Sequence, residues 1–168
     1  MNGPRGQPRS LFDWIAVGAV VAGLVAGQLL ETSSPGWLRG VGLAALAASL
    51  PLFILPFAQL GRYGAREPGK SYMDTTRVAD RGVYALVRHP QYLGYSLLVV
   101  GLALISLHWV TVALAALAVS GFRMQAKSEE RDLLQRMGAP YAAYLARVPG
   151  FNLPKGVARW LKSRRVTP

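Results

Sequence analysis

Two short windows hold most of the residues whose types and spacing could do chemistry. The first runs from Gly82 to Gly94 and reads GVYALVRHPQYLG. Pro90 biases His89 toward extended backbone and itself suits the first position of a helix. A helix is therefore expected to start at Pro90, with His89 as its N-cap. The free N–H groups of Gln91, Tyr92 and Leu93 would then point outward beside the Arg88 guanidinium. A helix start next to an arginine attracts anions, since unpaired amides and the helix dipole both favour negative charge. The second window is KSEERDLLQRMGAPYAAYLARVP, from Lys127 to Pro149. Glu129, Leu133 and Arg136 share one face of an expected helix, and Glu130, Leu134 and Met137 the next. The glutamates suit a cationic or hydroxyl-bearing ligand. A solvated helix pairing them with Lys127 and Arg131 would account for them equally.

The elements that must position these windows are membrane-like. Of 168 residues, 52% are hydrophobic and 16% charged, and the net charge of +11 crowds between long apolar runs. Phe12–Leu30 and Leu38–Leu60 are each near the roughly 20 residues needed to cross a bilayer core. Pro51 and Pro56 inside the second run predict a bend that opens a cavity, or a bend alone. Tyr92–Leu107 and Val110–Gly121 flank a tight turn at His108 and Trp109 and read as a helical hairpin. The second arm is expected to continue through Arg123 to Met137. Gly138 then ends it and Pro140 starts a short helix over Tyr141–Ala146. Val148–Pro154 reads as an extended exit before a basic tail.

The expected fold class is all-α: an integral membrane helical bundle of about four transmembrane helices with cytoplasmic C-terminal helices. It forms a single domain over 1–168. Two N-terminal spans fill 1–60, a cytoplasmic loop 61–91, the hairpin 92–121, and cytoplasmic helices 122–168 complete the site. The loop holds six basic residues against Glu67, Asp74 and Asp80, while the turns at Glu31–Trp37 and His108 hold no lysine or arginine. This asymmetry places both termini in the cytoplasm of a multi-pass protein, with a bacterial inner membrane as the expected location. Nucleic acid is not an expected partner, because the charge flanks apolar runs rather than covering one accessible face. The chain has no cysteine, and only His89 and His108 offer imidazole. No metal site is expected.

The ordered set GVY, RHPxYxG, a hairpin, EExxL, a glycine, YxxY and VPxF resembles the isoprenylcysteine carboxyl methyltransferase and phospholipid methyltransferase superfamily of integral membrane enzymes. The resemblance covers about Thr76 to Pro154. The first two spans match it only in being hydrophobic. It implies that S-adenosyl-L-methionine is the cofactor. The binding residues it implies are Thr76, Arg77, Val78 and Ala79 before GVY, then Tyr84, then His89, Pro90, Gln91 and Tyr92, and Glu129. In the isoprenylcysteine branch an arginine one turn before that glutamate binds substrate. Here Gln125 stands there, with Arg123 nearby, and Thr76 replaces a usual histidine.

The chemistry of the residues agrees with that implication. The start at Pro90, with Arg88 or His89, suits the cofactor's carboxylate. Glu129 suits its ammonium or ribose hydroxyls, and Tyr84 or Tyr92 its adenine or sulfonium. The expected reaction is methyl transfer by direct displacement to a lipid-like or apolar acceptor, either an isoprenylcysteine-like carboxylate or a phospholipid-like amine. A carboxylate needs no base. An amine must lose a proton, for which Glu130, Tyr141 and His89 are candidates, and Arg123 is a further catalytic candidate. Competing readings are a membrane reductase using a nicotinamide cofactor, a small transporter and a non-catalytic scaffold. No Gly-rich dinucleotide fingerprint supports the reductase, and no ionisable residue deep inside a span supports a proton-coupled transporter.

Overall fold

The computed structural model describes residues 11–29, 34–63 and 78–165. Six α-helices and one 3-10 turn make up the regular structure of those residues, with no strand among them. The helices are α1 (Leu11–Leu29), α2 (Gly36–Tyr63), α3 (Pro90–Ser106), α4 (Trp109–Met137), α5 (Ala139–Arg147) and α6 (Leu153–Arg165). The turn covers Gly82–Ala85. The chain divides into two compact units, one of Met1–Ala47 with Tyr95–Lys127 and one of Ala48–Gly94 with Ser128–Pro168.

In the first unit, small residues let helices approach closely. A methyl added at Gly42 would lie 2.7 Å from the Gly101 carbonyl oxygen, and one at Gly101 would lie 2.8 Å from that of Gly42. Backbones this near pack through van der Waals contact, the mode open to helices in lipid. Tyr95 and Phe122 meet with ring centroids 5.4 Å apart. The turn between α3 and α4 is held by His108, whose Nδ1 accepts the Val110 N–H at 3.3 Å and whose carbonyl accepts the Thr111 hydroxyl at 2.8 Å. Leu107 takes φ 47° to make that turn, a left-handed conformation that costs a leucine about 1–2 kcal/mol.

Much of the apolar surface faces outward. Val17, Val21, Leu24 and Val25 of α1 are exposed, as are Val41, Leu43, Leu50 and Ile54 of α2. Among the described residues, two helices are long and apolar enough to cross a membrane, over Gly36–Gln59 and Trp109–Met137, and only 22% and 33% of their most apolar windows are buried. The core helix of a soluble protein would bury most of that surface; these leave it exposed. Val17–Gly27, within α1, and Pro90–Ser106 are shorter apolar stretches. Helix α2 runs through both Pro51 and Pro56.

The second unit is built around tyrosines. Tyr141, Tyr144 and Val148 form its buried cluster, with Val78, Leu133, Met137 and Leu145 packed on it. Gly138, at φ 60°, reverses the chain between α4 and α5, a conformation that glycine adopts without penalty. Pro140 lies in the first turn of α5. The expected extended exit ends earlier than Pro154, because Asn152 caps a further helix. Its Oδ1 accepts the Lys155 N–H at 2.9 Å, the geometry of an N-cap side chain. The basic tail is thus largely α6. That helix lies tightly on the first window, since a methyl at Gly156 would land on the Leu86 carbonyl.

Candidate active site

The first window is fixed before its side chains meet anything. The Val83 N–H donates to Gln59 Oε1 at 2.6 Å. The chain then runs extended, and Arg88 N–H and His89 N–H donate to the carbonyls of Pro149 and Gly150 at 2.9 and 3.2 Å. The VPGF segment therefore lies directly alongside Arg88–His89. Pro90, fully buried, starts α3 as expected. The Leu93 N–H is not free, however: it donates to the His89 carbonyl at 3.0 Å. That bond closes the first turn of the helix, so of the three amides expected to face a ligand Leu93 is excluded.

The two windows meet in one cluster. Glu130 Oε1 accepts from Arg88 Nε at 2.9 Å, lies 2.8 Å from Arg88 Nη2, and lies 2.8 Å from His89 Nε2. His89 Nδ1 faces Glu129 Oε2 at 3.6 Å, an ion-pair distance rather than a hydrogen bond. The Glu129 side chain stays 35% exposed, against 4% for His89. Arg88 has a second task. Its Nη1 donates to the carbonyls of Leu145 and Val148, both at 2.7 Å. These carbonyls lie at the C-terminus of α5, where a cation satisfies unpaired acceptors and complements the helix dipole. Arg88 thus ties the first window, α4 and α5 together, and the anion its guanidinium meets is internal.

The electrostatics follow from this geometry. Burial alone would lower the His89 pKa, but the close approach of Glu129, the hydrogen bond to Glu130 and the charges of both outweigh it and raise the pKa above 6.5. With both ring nitrogens facing carboxylates, the imidazolium is the favoured form. Two cations then balance two carboxylates. Glu129 is the more exposed of the two carboxylates. Burial first, then the charges of the two glutamates, pushes the Tyr141 hydroxyl well above its ordinary range. Burial does the same to Tyr144, whose hydroxyl donates to the Tyr84 carbonyl at 2.8 Å. Both therefore act as neutral phenols near pH 7. Phe151 stacks on His89 with ring centroids 5.7 Å apart, and Tyr92 flanks it at 5.8 Å.

Of the residues singled out from sequence, this unit assembles Tyr84, Arg88, His89, Pro90, Gln91, Tyr92, Glu129, Glu130 and Tyr141. Val78 packs on the tyrosine cluster and Ala79 is half-buried beside it in sequence. Thr76 and Arg77 lie outside the described residues. Arg123, exposed, and Gln125, half-buried, belong to the first unit. Sequence reasoning gave no role to Phe151 or Gly150, although both stand in the VPxF motif. A methyl at Gly150 would lie 3.3 Å from Arg88 Nη2, so a small residue is what lets this backbone lie against the guanidinium.

Membrane-length helices together with a polar cluster beside a helix start are the features that an integral membrane enzyme combines. Residues 37–139 match the family model described as Phospholipid methyltransferase, more than half of the chain. The chain belongs to the phospholipid methyltransferase family, part of the superfamily that also holds the isoprenylcysteine carboxyl methyltransferases. It is a membrane methyltransferase by family, and the family uses S-adenosylmethionine. The match takes in α2, which sequence reasoning found similar only in hydrophobicity, and both halves of the cluster. It ends before Tyr141. No curated protein and no solved structure matches the chain.

Proposed function

We propose that this chain transfers a methyl group from S-adenosylmethionine to the amine of a phospholipid, with the Arg88–His89–Glu129–Glu130 cluster as the polar floor of its cofactor site. The observation that carries this reading is the meeting of the two windows, more than forty residues apart in sequence, in a chain of this family. When bound, the cofactor supplies a methyl group activated by a positive sulfonium. Glu129 holds the ammonium or a ribose hydroxyl with its open carboxylate. The start of α3 at Pro90 receives the carboxylate through the helix dipole, since Arg88 is committed elsewhere. Phe151 and Tyr92 offer ring faces to the cation. Glu130 keeps the site in shape through Arg88 and His89.

The donor set supports the amine branch over the carboxylate branch. Gln125 stands where the isoprenylcysteine branch has its substrate arginine, and the family match names phospholipids. The amine must arrive or become neutral before its lone pair attacks. Tyr141, a phenol at neutral pH, orients rather than deprotonates. Arg123 is a permanent cation, which suits a lipid phosphate and excludes a role as base. We further propose one domain of four spans with both termini cytoplasmic, in which the lipid enters sideways and the cofactor from water.

The test is labelled methyl transfer from S-adenosylmethionine into phosphatidylethanolamine, prenylated cysteine and small thiols by the purified chain in vesicles. Label in the phospholipid amine supports the reading. Label only in a prenylcysteine ester or a thiol overturns the acceptor. Unchanged cofactor affinity in both Glu129→Ala and His89→Ala overturns the site.

A further inference from the structure

Helix α6 carries a face that the methyl-transfer site does not use. Its thirteen residues, LPKGVARWLKSRR, include five basic residues and no acidic one. One side is anchored. Gly156 is buried against the Leu86 carbonyl, and Arg159 donates to the Ala85 carbonyl. Val157 and Trp160 are half-buried on the same body. The opposite side holds Lys155, Ala158, Leu161 and Lys162, all exposed, at the spacing that puts them on one helix face. Leu161, 48% exposed, lies at one edge of this face, and Lys155 and Lys162, which no acidic side chain pairs among the described residues, lie together at the other.

We propose that this face docks on an anionic lipid surface. The argument is charge complementarity combined with form. A leucine beside two lysines on one exposed face of a capped and anchored helix matches an element lying in the headgroup layer: the apolar side chain dips inward and the ammonium groups stay level with the phosphates. Family membership places the chain in a membrane, so such a surface is always at hand. The docking bears on the proposed cofactor site, because α6 rests on Ala85 and Leu86, two to four residues before Arg88 and His89. The proposal does not depend on the methyl acceptor or on catalysis.

The sequence has no cysteine, so Leu161→Cys accepts a single environment-sensitive fluorophore in the full chain. The labelled protein is reconstituted in phosphatidylcholine vesicles with increasing phosphatidylglycerol. The label is expected to shift to the blue, and to be quenched by brominated lipid, as the anionic fraction rises. Salt should reverse both changes. Adding Lys155→Gln and Lys162→Gln should lower the docked-to-free ratio roughly 30-fold, about five-fold per lysine. Ala158→Cys, which keeps Leu161, must report the same. A label in water at every composition overturns the proposal, as does equal docking on neutral vesicles. So does a label shifted in neutral vesicles by duplex DNA or an acidic peptide instead.

Discussion

Nε2 of His89 lies 2.8 Å from Oε1 of Glu130, and that same oxygen takes both Nε and Nη2 of Arg88. One carboxylate oxygen is therefore shared by an imidazole and a guanidinium. The consequence is a division of labour between adjacent acids. Glu130 is held by two cations, and Glu129, more exposed and facing His89 alone at 3.6 Å, is the acid that the proposed site assigns to the ligand.

Removing the held acid should cost stability, and removing the open one should cost binding. Glu130→Ala leaves Arg88 and His89 without their carboxylate. Breaking a fully buried pair costs more, but the Arg88 and Glu130 side chains keep 16% and 22% exposure, so the expected loss is about 2–3 kcal/mol. Thermal unfolding in detergent should show it as a clear drop in apparent Tm. Glu129→Ala should cost less, about 1 kcal/mol, because Glu129 is partly exposed and faces the His89 ring at an ion-pair distance of 3.6 Å. Its affinity for S-adenosylmethionine should fall roughly ten-fold or more, the worth of a hydrogen bond to a charged group, as read by calorimetry.

The cluster should also impose a pH dependence. The folded-state pKa of His89 is raised above its ordinary 6.5. A raised pKa means that the folded chain binds the proton more tightly than the unfolded one. The resulting stability is fully present below pH 6.5 and is lost as pH rises through the higher folded value. Apparent Tm should fall over that interval in the parent chain. In His89→Gln the fall should disappear, because no proton is taken up there. A parent curve that rises over the same interval would contradict this arrangement.

How far the sequence revealed this arrangement depends on local punctuation. The start of α3 at Pro90, the turn at His108, and the stop at Gly138 before Pro140 are all legible, because proline, glycine and capping side chains act on their immediate neighbours. That Arg88 would cap α5 is not legible, since it depends on Leu145 and Val148 carbonyls almost sixty residues away. Helix α6 was hidden by its composition: five basic residues and a mid-helix glycine read as a tail. Asn152 ahead of Pro154 was the signal for its start. Tyr141 and Tyr144, three residues apart, share a helix face, but that the face is buried depends on tertiary packing with Val78, Leu133 and Met137.

The hydroxyl of Tyr144 offers a test of that packing apart from the proposed chemistry. It donates to the Tyr84 carbonyl at 2.8 Å from a ring that is 3% exposed. Tyr144→Phe keeps the ring and strands the acceptor, which costs about 1–2 kcal/mol. Cofactor affinity per folded molecule should be unchanged if this bond only supports the turn. A large loss of affinity with normal stability would instead place the Tyr144 hydroxyl in contact with a ligand.

The tightest packing constraint on the site comes from α6. Gly156 has no room for a side chain, because the first carbon added there would meet the Leu86 carbonyl, and backbone cannot swing aside as a flexible side chain does. Gly156→Ala is therefore expected to lift α6 from the first window and to break the Arg159 contact with Ala85. Overpacking of this kind costs about 1–3 kcal/mol. Against that, alanine favours the helical state by roughly 1 kcal/mol over glycine, so an isolated α6 peptide should become more helical with the same change. Opposite signs in the peptide and the full chain, the first read by circular dichroism and the second by apparent Tm, would show that contact with Leu86, and not helix propensity, requires glycine here.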